Sequence, residues 1–330
     1  MTIINNIEID AIEFTEHRTK EAILNNDPIE DKLHVVIVIS NPCLYATRYI
    51  LAKQFIKRLE DYESHIILYI VELAYDDNKF YITDSKNLRH LQLRTTTAPL
   101  WHKENMINLG IRKLLPPAWR AVAWIDADIE FESTTWSQDT LKILNGYKDV
   151  VQLFSHAVDM DKNKYSMNIF SSFGFQYETG KSYINKGLDF WHPGFAWACT
   201  RKAYDKMCGL YENSILGSGD HNMSFSFINN AIKSFNEKVS QAYRDDILEF
   251  QKRVRGLRLG YVPGIVRHYY HGSKLNRRYG DRWQILVKYQ FNPLIHITRN
   301  ADGLIIPADE CPSELLDDIM DYFRQRNEDE

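Results

Sequence analysis

Several features that would decide a protein's class at once are scarce in this sequence. Its 330 residues hold four cysteines, Cys43, Cys199, Cys208 and Cys311. They share no C-x-x-C spacing and fall in strand-, helix- and tail-like contexts, which argues against a zinc site or a disulfide framework and for a reducing compartment. No stretch approaches the roughly 18 apolar residues of a membrane-spanning helix. The first residues, MTIINNIEIDAIEF, carry acids and lack the basic segment and apolar run of a signal peptide. Neither sign of charge dominates, with 40 Lys and Arg against 44 Asp and Glu, so a nucleic-acid partner is not expected. No internal repeat or linker interrupts the chain. The expectation is a cytoplasmic protein with no transmembrane segment.

What is present is an ordinary globular composition, 44% apolar, enough for one large α/β domain or two smaller ones. HVVIVIS from His34 is the β-branched run of a strand buried on both faces, and YATRYILAKQFIKRL after it is helical in character. HIILYIVEL at 65–73 repeats the strand-after-helix order. An excursion leads to the helical HKENMINLGIRKLL at 102–115, stopped by Pro116-Pro117, and then to the strand AVAWID. This order predicts a Rossmann-like, mostly parallel central sheet flanked by helices, with ligands at the carboxyl ends of its strands. Farther on, DVVQLFS and GFAWACT read as strands. Residues 159–190 read as a long polar excursion, 201–207 and 221–232 as helices, and 239–255 as another helix. YVPGIVRHYYHGS is a strand or strand pair turning at Pro263-Gly264, and DRWQILVKYQF is helical. The polar tail from Asn300 carries one helix and is expected to fray.

Four stretches could carry chemistry. AWIDADIEFES at 123–133 ends a buried strand in acids at every second position, Asp126, Asp128, Glu130 and Glu132. That face is either solvated or holds a divalent cation, which favours carboxylate oxygens with positions left open for phosphate or water. Phosphatases of the haloacid-dehalogenase type also use D-x-D after an apolar strand, but there it comes early and a hydroxyl residue follows, whereas Ile129 follows here. WHKENMINLG at 101–110 reads as an amphipathic core helix, and its position before the acidic strand lets Lys103 meet a phosphate or sugar hydroxyl. In WHPGFAWACT, Gly194 permits close approach to a ligand, and Trp191 and Trp197 offer either core packing or flat faces for a sugar ring. Asp220, after G-S-G, is either a helix N-cap or a general base in a cleft. In VRHYYHGSKLNRRYGDR, His268 and His271 are three apart on an apparent strand, so they should face opposite ways and supply one metal ligand at most. His271, before the basic Lys274, Arg277 and Arg278, is the better candidate.

In this order the four stretches resemble glycosyltransferases of the GT-A fold, and within them the inverting β-1,4-galactosyltransferase-like group. WHK-x-x-MINLG matches that group's FNR-x-x-LLNVG in shape, with Lys103 in place of the Arg. Asp126-Ala127-Asp128 corresponds to its DVD, and the loop Leu216-Gly217-Ser218-Gly219-Asp220-His221 to its Gly-Trp-Gly-Gly-Glu-Asp-Asp, with Gly219 where the family has Glu. HGSKLNRR at 271–278 resembles its late metal-binding His before a basic loop. The sequence is also similar to viral and microbial glycosyltransferases that share WHKENM, WIDADIEF and HGSK. The resemblance spans about residues 34 to 295.

The resemblance implies a single GT-A domain over 34–299, with a nucleotide-binding part at 34–155 and a smaller mixed acceptor and catalytic part at 156–299. An N-terminal extension (1–33) precedes it and a tail with a helix (300–330) follows. It implies a metal-dependent glycosyltransferase that moves a hexose from a nucleotide-diphosphate sugar, a UDP-sugar, to a hydroxyl of a glycan, protein or small molecule with inversion. In that reading Asp220 is the catalytic base. Asp128 and His271 hold Mn²⁺ or Mg²⁺, and Asp126 reaches the metal or the ribose. Asn41, Glu72, Arg94, Lys103, Gly194, Trp197 and Lys274 contact the donor. A mixed His and carboxylate set favours Mn²⁺. The rival readings are a metal-dependent nucleotide-sugar hydrolase or phosphatase and a non-catalytic sugar-nucleotide-binding protein.

Overall fold

The computed structural model describes residues 17–180, 191–273, 276 and 279–330, preceded by an antiparallel pair of two-residue strands, β1 (Ile3–Ile4) and β2 (Ile7–Glu8). After helix α1 (His17–Asn25), the β-branched run becomes the buried strand β3 (Leu33–Ser40), which is followed by α2 (Ala46–Tyr62) and β4 (Ile66–Tyr75). The excursion after β4 carries a strand that its mixed polar pattern did not announce, β5 (His90–Thr95), hydrogen-bonded parallel to β4. Then come α3 (Lys103–Leu114) and β6 (Ala121–Ile125), and β3 lies parallel to both β4 and β6.

Beyond β6 the chain builds β7 (Ile129–Phe131), α4 (Trp136–Leu144), β8 (Val150–Gln152), β9 (His156–Met160), β10 (Ser166–Ser172) and α5 (Phe173–Glu178). The rest comprises β11 (Trp191–His192), β12 (Ala196–Thr200), α6 (Arg201–Met207), α7 (Gly219–Phe227), α8 (Gln241–Val254), β13 (Leu259–Tyr261), β14 (Ile265–His268), α9 (Tyr279–Lys288), β15 (Ile297–Arg299), β16 (Ile305–Pro307) and α10 (Ser313–Gln325). Seven strands form the central sheet in the order β13-β8-β12-β6-β3-β4-β5, parallel except for β12, which runs antiparallel to both its neighbours. A second, mixed sheet runs β11-β10-β9-β14-β7. The expected α/β architecture, a mostly parallel sheet with a smaller mixed region, is therefore the one observed.

Period-two alternation sorts the core onto the two faces of the sheet. Val35 and Ile37 pack with Phe55 and Leu59 of α2 and Trp136 and Leu141 of α4. Val36 faces the other way, into a cluster with Met106 and Leu109 of α3, Tyr243 and Phe250 of α8, and Leu315, Ile319 and Phe323 of α10. The C-terminal helix is thus part of the core, and the fraying expected of the polar tail does not occur. Its apolar residues recur at helical spacing, so one face is buried although the composition is polar. Glu328, three residues past the helix, is 2% exposed. Among the described residues no helix is long and apolar enough to cross a membrane.

Candidate active site

At the carboxyl end of β6 the chain leaves the central sheet, and the Asp126 N–H donates to the carbonyl of Phe195 at 2.7 Å, just beyond the β6–β12 ladder. Three residues later, at Ile129, β7 has joined the second sheet, antiparallel to β14 with Ile129 opposite His268. Asp128 sits at the crossing between the sheets. Its carbonyl accepts the N–H of Tyr269 at 2.8 Å, which draws the end of β14 alongside it.

That ladder brings both histidines to one carboxylate. His271 Nε2 lies 3.0 Å from Asp128 Oδ2, His268 Nε2 lies 3.9 Å from the same oxygen, and the two Nε2 atoms are 3.3 Å apart. One ligand atom from each of the three residues falls within 4.8 Å of the others. The expectation that the histidines face apart is overturned, because β14 ends at His268 and the alternation of an extended strand does not continue through 269–271. The donor set suits a metal. His268 Nδ1 faces Asp159 at 2.8 Å, so with a proton on Nδ1 the Nε2 lone pair turns inward, and one carboxylate with two imidazoles leaves coordination positions open. Asp126 stands outside this trio, its Oδ1 held by Lys103 Nζ at 2.5 Å.

The trio opens on a cavity of about 600 Å³ that is also lined by Lys103, Glu104, Asp126, Trp191, Asp220 and Arg282. Asp220 is not the N-cap of α7. Ser218 holds that position in a left-handed conformation, φ +78°, and Asp220 Oδ1 accepts the N–H of its neighbour His221 at 2.8 Å. The other oxygen points at Gly194, where an added Cβ would come within 2.6 Å of Oδ2 and 2.8 Å of His192 Cε1. Ser218 Oγ is buried at the cavity wall and makes no hydrogen bond to a described residue, a polar position that a ligand hydroxyl could satisfy.

Charge is concentrated and balanced here. Burial weakens the hold of Lys103 on its proton, but Asp126 and Asp220 outweigh it and keep the ammonium charged. Burial pushes Glu104 up to about 8 against the pull of Lys103, so this carboxyl carries a proton at neutral pH. Burial likewise raises Asp126, opposed by Lys103 and reinforced by Asp128. For Asp220, burial works upward but Lys103, His192, Arg282 and His221 prevail, and it is held below the usual carboxylate range. An ionised carboxylate in a cleft beside a protonated one can accept a proton from a ligand at neutral pH.

The other expected donor contacts divide. Asn41 lines the cavity, although its amide is occupied in a turn, with Nδ2 donating to the Tyr45 carbonyl at 2.8 Å and Oδ1 accepting the Tyr45 N–H at 3.0 Å. Glu72 is off the cavity. Its two oxygens accept the N–H groups of Tyr81, Ile82 and Thr83 and the Thr83 hydroxyl, so it clamps a loop. Arg94 belongs to the same frame, bonded to the carbonyls of Asp76 and Asn78 and stacked over Phe80 at 5.0 Å. Trp197 is buried in the core and donates to the Pro193 carbonyl at 2.7 Å, whereas Trp191, stacked on His221 at 5.6 Å, lines the cavity. Lys274 lies outside the described residues. Sequence reasoning passed over Arg48, Glu104, His192, Arg282 and Arg326, all on the cavity wall. Glu104 in WHKENM, His192 in WHPGFAWACT and Arg282 at the end of VRHYYHGSKLNRRYGDR lay inside stretches already singled out, whereas Arg48 and Arg326 lay outside them.

No protein-family model and no curated protein sequence matches this chain. Among the solved structures similar to it are two transferases and a synthase. A mannosyltransferase from Pyrobaculum calidifontis, in complex with GDP-Man and Mn²⁺, is 11% identical over 82% of this chain and 68% of its own, with a TM-score of 0.43. A Drosophila β-1,4-galactosyltransferase 7 variant with manganese, UDP-Gal and xylobiose is 11% identical over 60% of this chain and 62% of its own, TM-score 0.32. A 4-diphosphocytidyl-2C-methyl-D-erythritol synthase from Anaerococcus prevotii is 11% identical over 90% and 98%, TM-score 0.33. The reading of the site rests on this chain's own residues.

Proposed function

We propose that this protein is a metal-dependent glycosyltransferase that moves a hexose from a nucleotide-diphosphate sugar, a UDP-sugar, to a hydroxyl acceptor with inversion of configuration. The observation that carries this reading is one cavity holding both the Asp128, His268 and His271 trio and the ionised Asp220. Its volume, about 600 Å³, suits a ligand of nucleotide-sugar size. Asp128, His268 and His271 would hold Mn²⁺ or Mg²⁺, and the nitrogen-rich set favours Mn²⁺. When bound, such a cation supplies Lewis-acid neutralisation of negative charge on a leaving diphosphate.

The remaining roles belong to side chains of the chain itself. Asp220 accepts the proton of the acceptor hydroxyl, whose oxygen forms the new bond to the anomeric carbon as the bond to the diphosphate oxygen breaks on the opposite face. Lys103 holds Asp126 as an acceptor for a ribose hydroxyl and lends positive potential to the site. Protonated Glu104 can donate to the sugar. Trp191 and Trp101, both on the wall, offer apolar faces for sugar rings.

A thermal-shift screen of nucleotide sugars with and without Mn²⁺ tests the reading. One donor raising Tm only when Mn²⁺ is present is the expected result, since a ligand that binds the native state stabilises it by an amount that grows with the logarithm of its concentration over Kd. No shift with any donor would sink the proposal. Release of free sugar at the same rate with and without acceptors would favour the hydrolase. Gly194→Ala supplies a geometric check. The added methyl pushes on the ends of the Asp220 and His192 side chains and not on backbone, so stability falls by only about 1 kcal/mol while turnover drops by about 10- to 100-fold. Turnover unchanged in that variant, measured at saturating donor, would remove Asp220 from the reaction.

A further inference from the structure

The end of the chain returns to the metal centre. His271 Nδ1, the ring nitrogen turned away from Asp128, faces Glu328 Oε2 at 3.7 Å. Glu328 is buried and anchored by two arginines of the cavity wall. Arg48 Nη2 reaches Oε1 at 2.7 Å while its Nε engages the other oxygen, and Arg326 Nε forms an ion pair with Oε1 at 2.8 Å. The two guanidinium groups supply the counter-charge that a buried carboxylate needs.

The surrounding backbone is shaped for this approach. Gly272 has φ +85°, and an added Cβ there would lie 2.9 Å from the carbonyl oxygen of Asn327 and 3.0 Å from Glu328 Cα. Next to it, Asp329 accepts the N–H groups of Ala46 and Thr47 at 3.0 and 2.8 Å, and the Tyr45 hydroxyl bonds the carbonyls of Phe323 and Arg324. Asp329 therefore ties down the same segment through bonds to Ala46 and Thr47, which do not line the cavity.

We propose that Glu328 is a positioning residue of the metal centre. It orients the His271 ring, with the proton on Nδ1 and the Nε2 lone pair toward the cation, and the same carboxylate fixes Arg48 and Arg326 on the wall that faces the diphosphate. Asp159 stands behind His268 at 2.8 Å, closer than Glu328 stands to His271, so each imidazole has a carboxylate on its Nδ1 side. This inference rests on the metal-site reading above.

The test is calorimetric titration of Mn²⁺ into the full chain in four forms: unaltered, Glu328→Gln, Asp329→Asn and His271→Ala. Glu328→Gln is expected to weaken Mn²⁺ binding by about 10- to 100-fold, as loss of a carboxylate behind a metal-bound histidine does, while Asp329→Asn stays within about twofold of the unaltered chain. Equal weakening in both variants would make Glu328 a mere tail anchor, and unaltered affinity in Glu328→Gln would remove it from the centre. Both results overturn the proposal. If Glu328→Gln fails to fold, Glu328→Asp, with its carboxylate drawn back by one methylene, is read against Asp329→Asn in the same way. Failure of the underlying reading looks different, because the unaltered chain and His271→Ala would then give the same trace.

Discussion

Asp220→Asn is expected to lower turnover by about 10²- to 10⁴-fold, the range that a positioned general base contributes, and to leave donor affinity within about threefold. The substitution is nearly isosteric, so the His221 N–H still finds an acceptor and α7 keeps its start. What disappears is the negative charge that Lys103, His192 and Arg282 hold in place. Steady-state rates beside calorimetric titration of the donor measure the two quantities separately. Donor binding that collapses along with turnover would make Asp220 a ligand contact. Unchanged turnover would end its candidacy as the base.

A comparable loss is expected from Asp128→Ala. This carboxylate is the proposed oxygen ligand, and both imidazoles converge on it, 3.0 Å from His271 and 3.9 Å from His268. Its removal leaves two nitrogens and no anion to offset a divalent charge. Lewis-acid stabilisation is worth several kcal/mol in the transition state, so turnover should fall on the order of a thousandfold. Chelation of the unaltered protein should reproduce that rate, and added Mn²⁺ should restore the unaltered protein but not the variant. Chelator-treated protein that keeps its activity would exclude a metal from the reaction. A variant restored by Mn²⁺ would instead move the ligand role away from Asp128.

The central sheet was legible because burial on both faces leaves its mark in composition. HVVIVIS and AVAWID are continuous apolar runs of strand length, and their carboxyl ends lead to the cavity. β5 was illegible because HLQLRT lies at the sheet's edge and is only partly buried, so its pattern is that of a loop. Asp126, Asp128, Lys103, Asp220 and His271 were singled out from their stretches, and the fold brings all five to the wall of one cavity. His268 was set aside on strand periodicity, a rule that fails where the strand stops. Glu72 and Trp197 were misjudged because a polar residue at a strand end and a tryptophan near a glycine look the same whether they face a ligand or a loop. Only the partners decide, and theirs are the backbone of 81–83 and the carbonyl of Pro193.

By itself the sequence determined β3, α2, β4, α3 and β6, their order and the parallel core of the sheet, since these follow from local periodicity and from where apolar runs start and stop. It also marked the acidic strand end, the glycine-rich loop before Asp220 and the late histidine pair as places where chemistry could sit. Tertiary structure alone decided which of those side chains meet. Asp126 went to Lys103, Asp128 to two histidines, and Glu328 came back from the far end of the chain to stand behind one of them. The physical reason is that a carboxylate's role is set by the charges and hydrogen bonds within a few ångströms of it. Those neighbours come from strand crossings and a returning tail that no local pattern records.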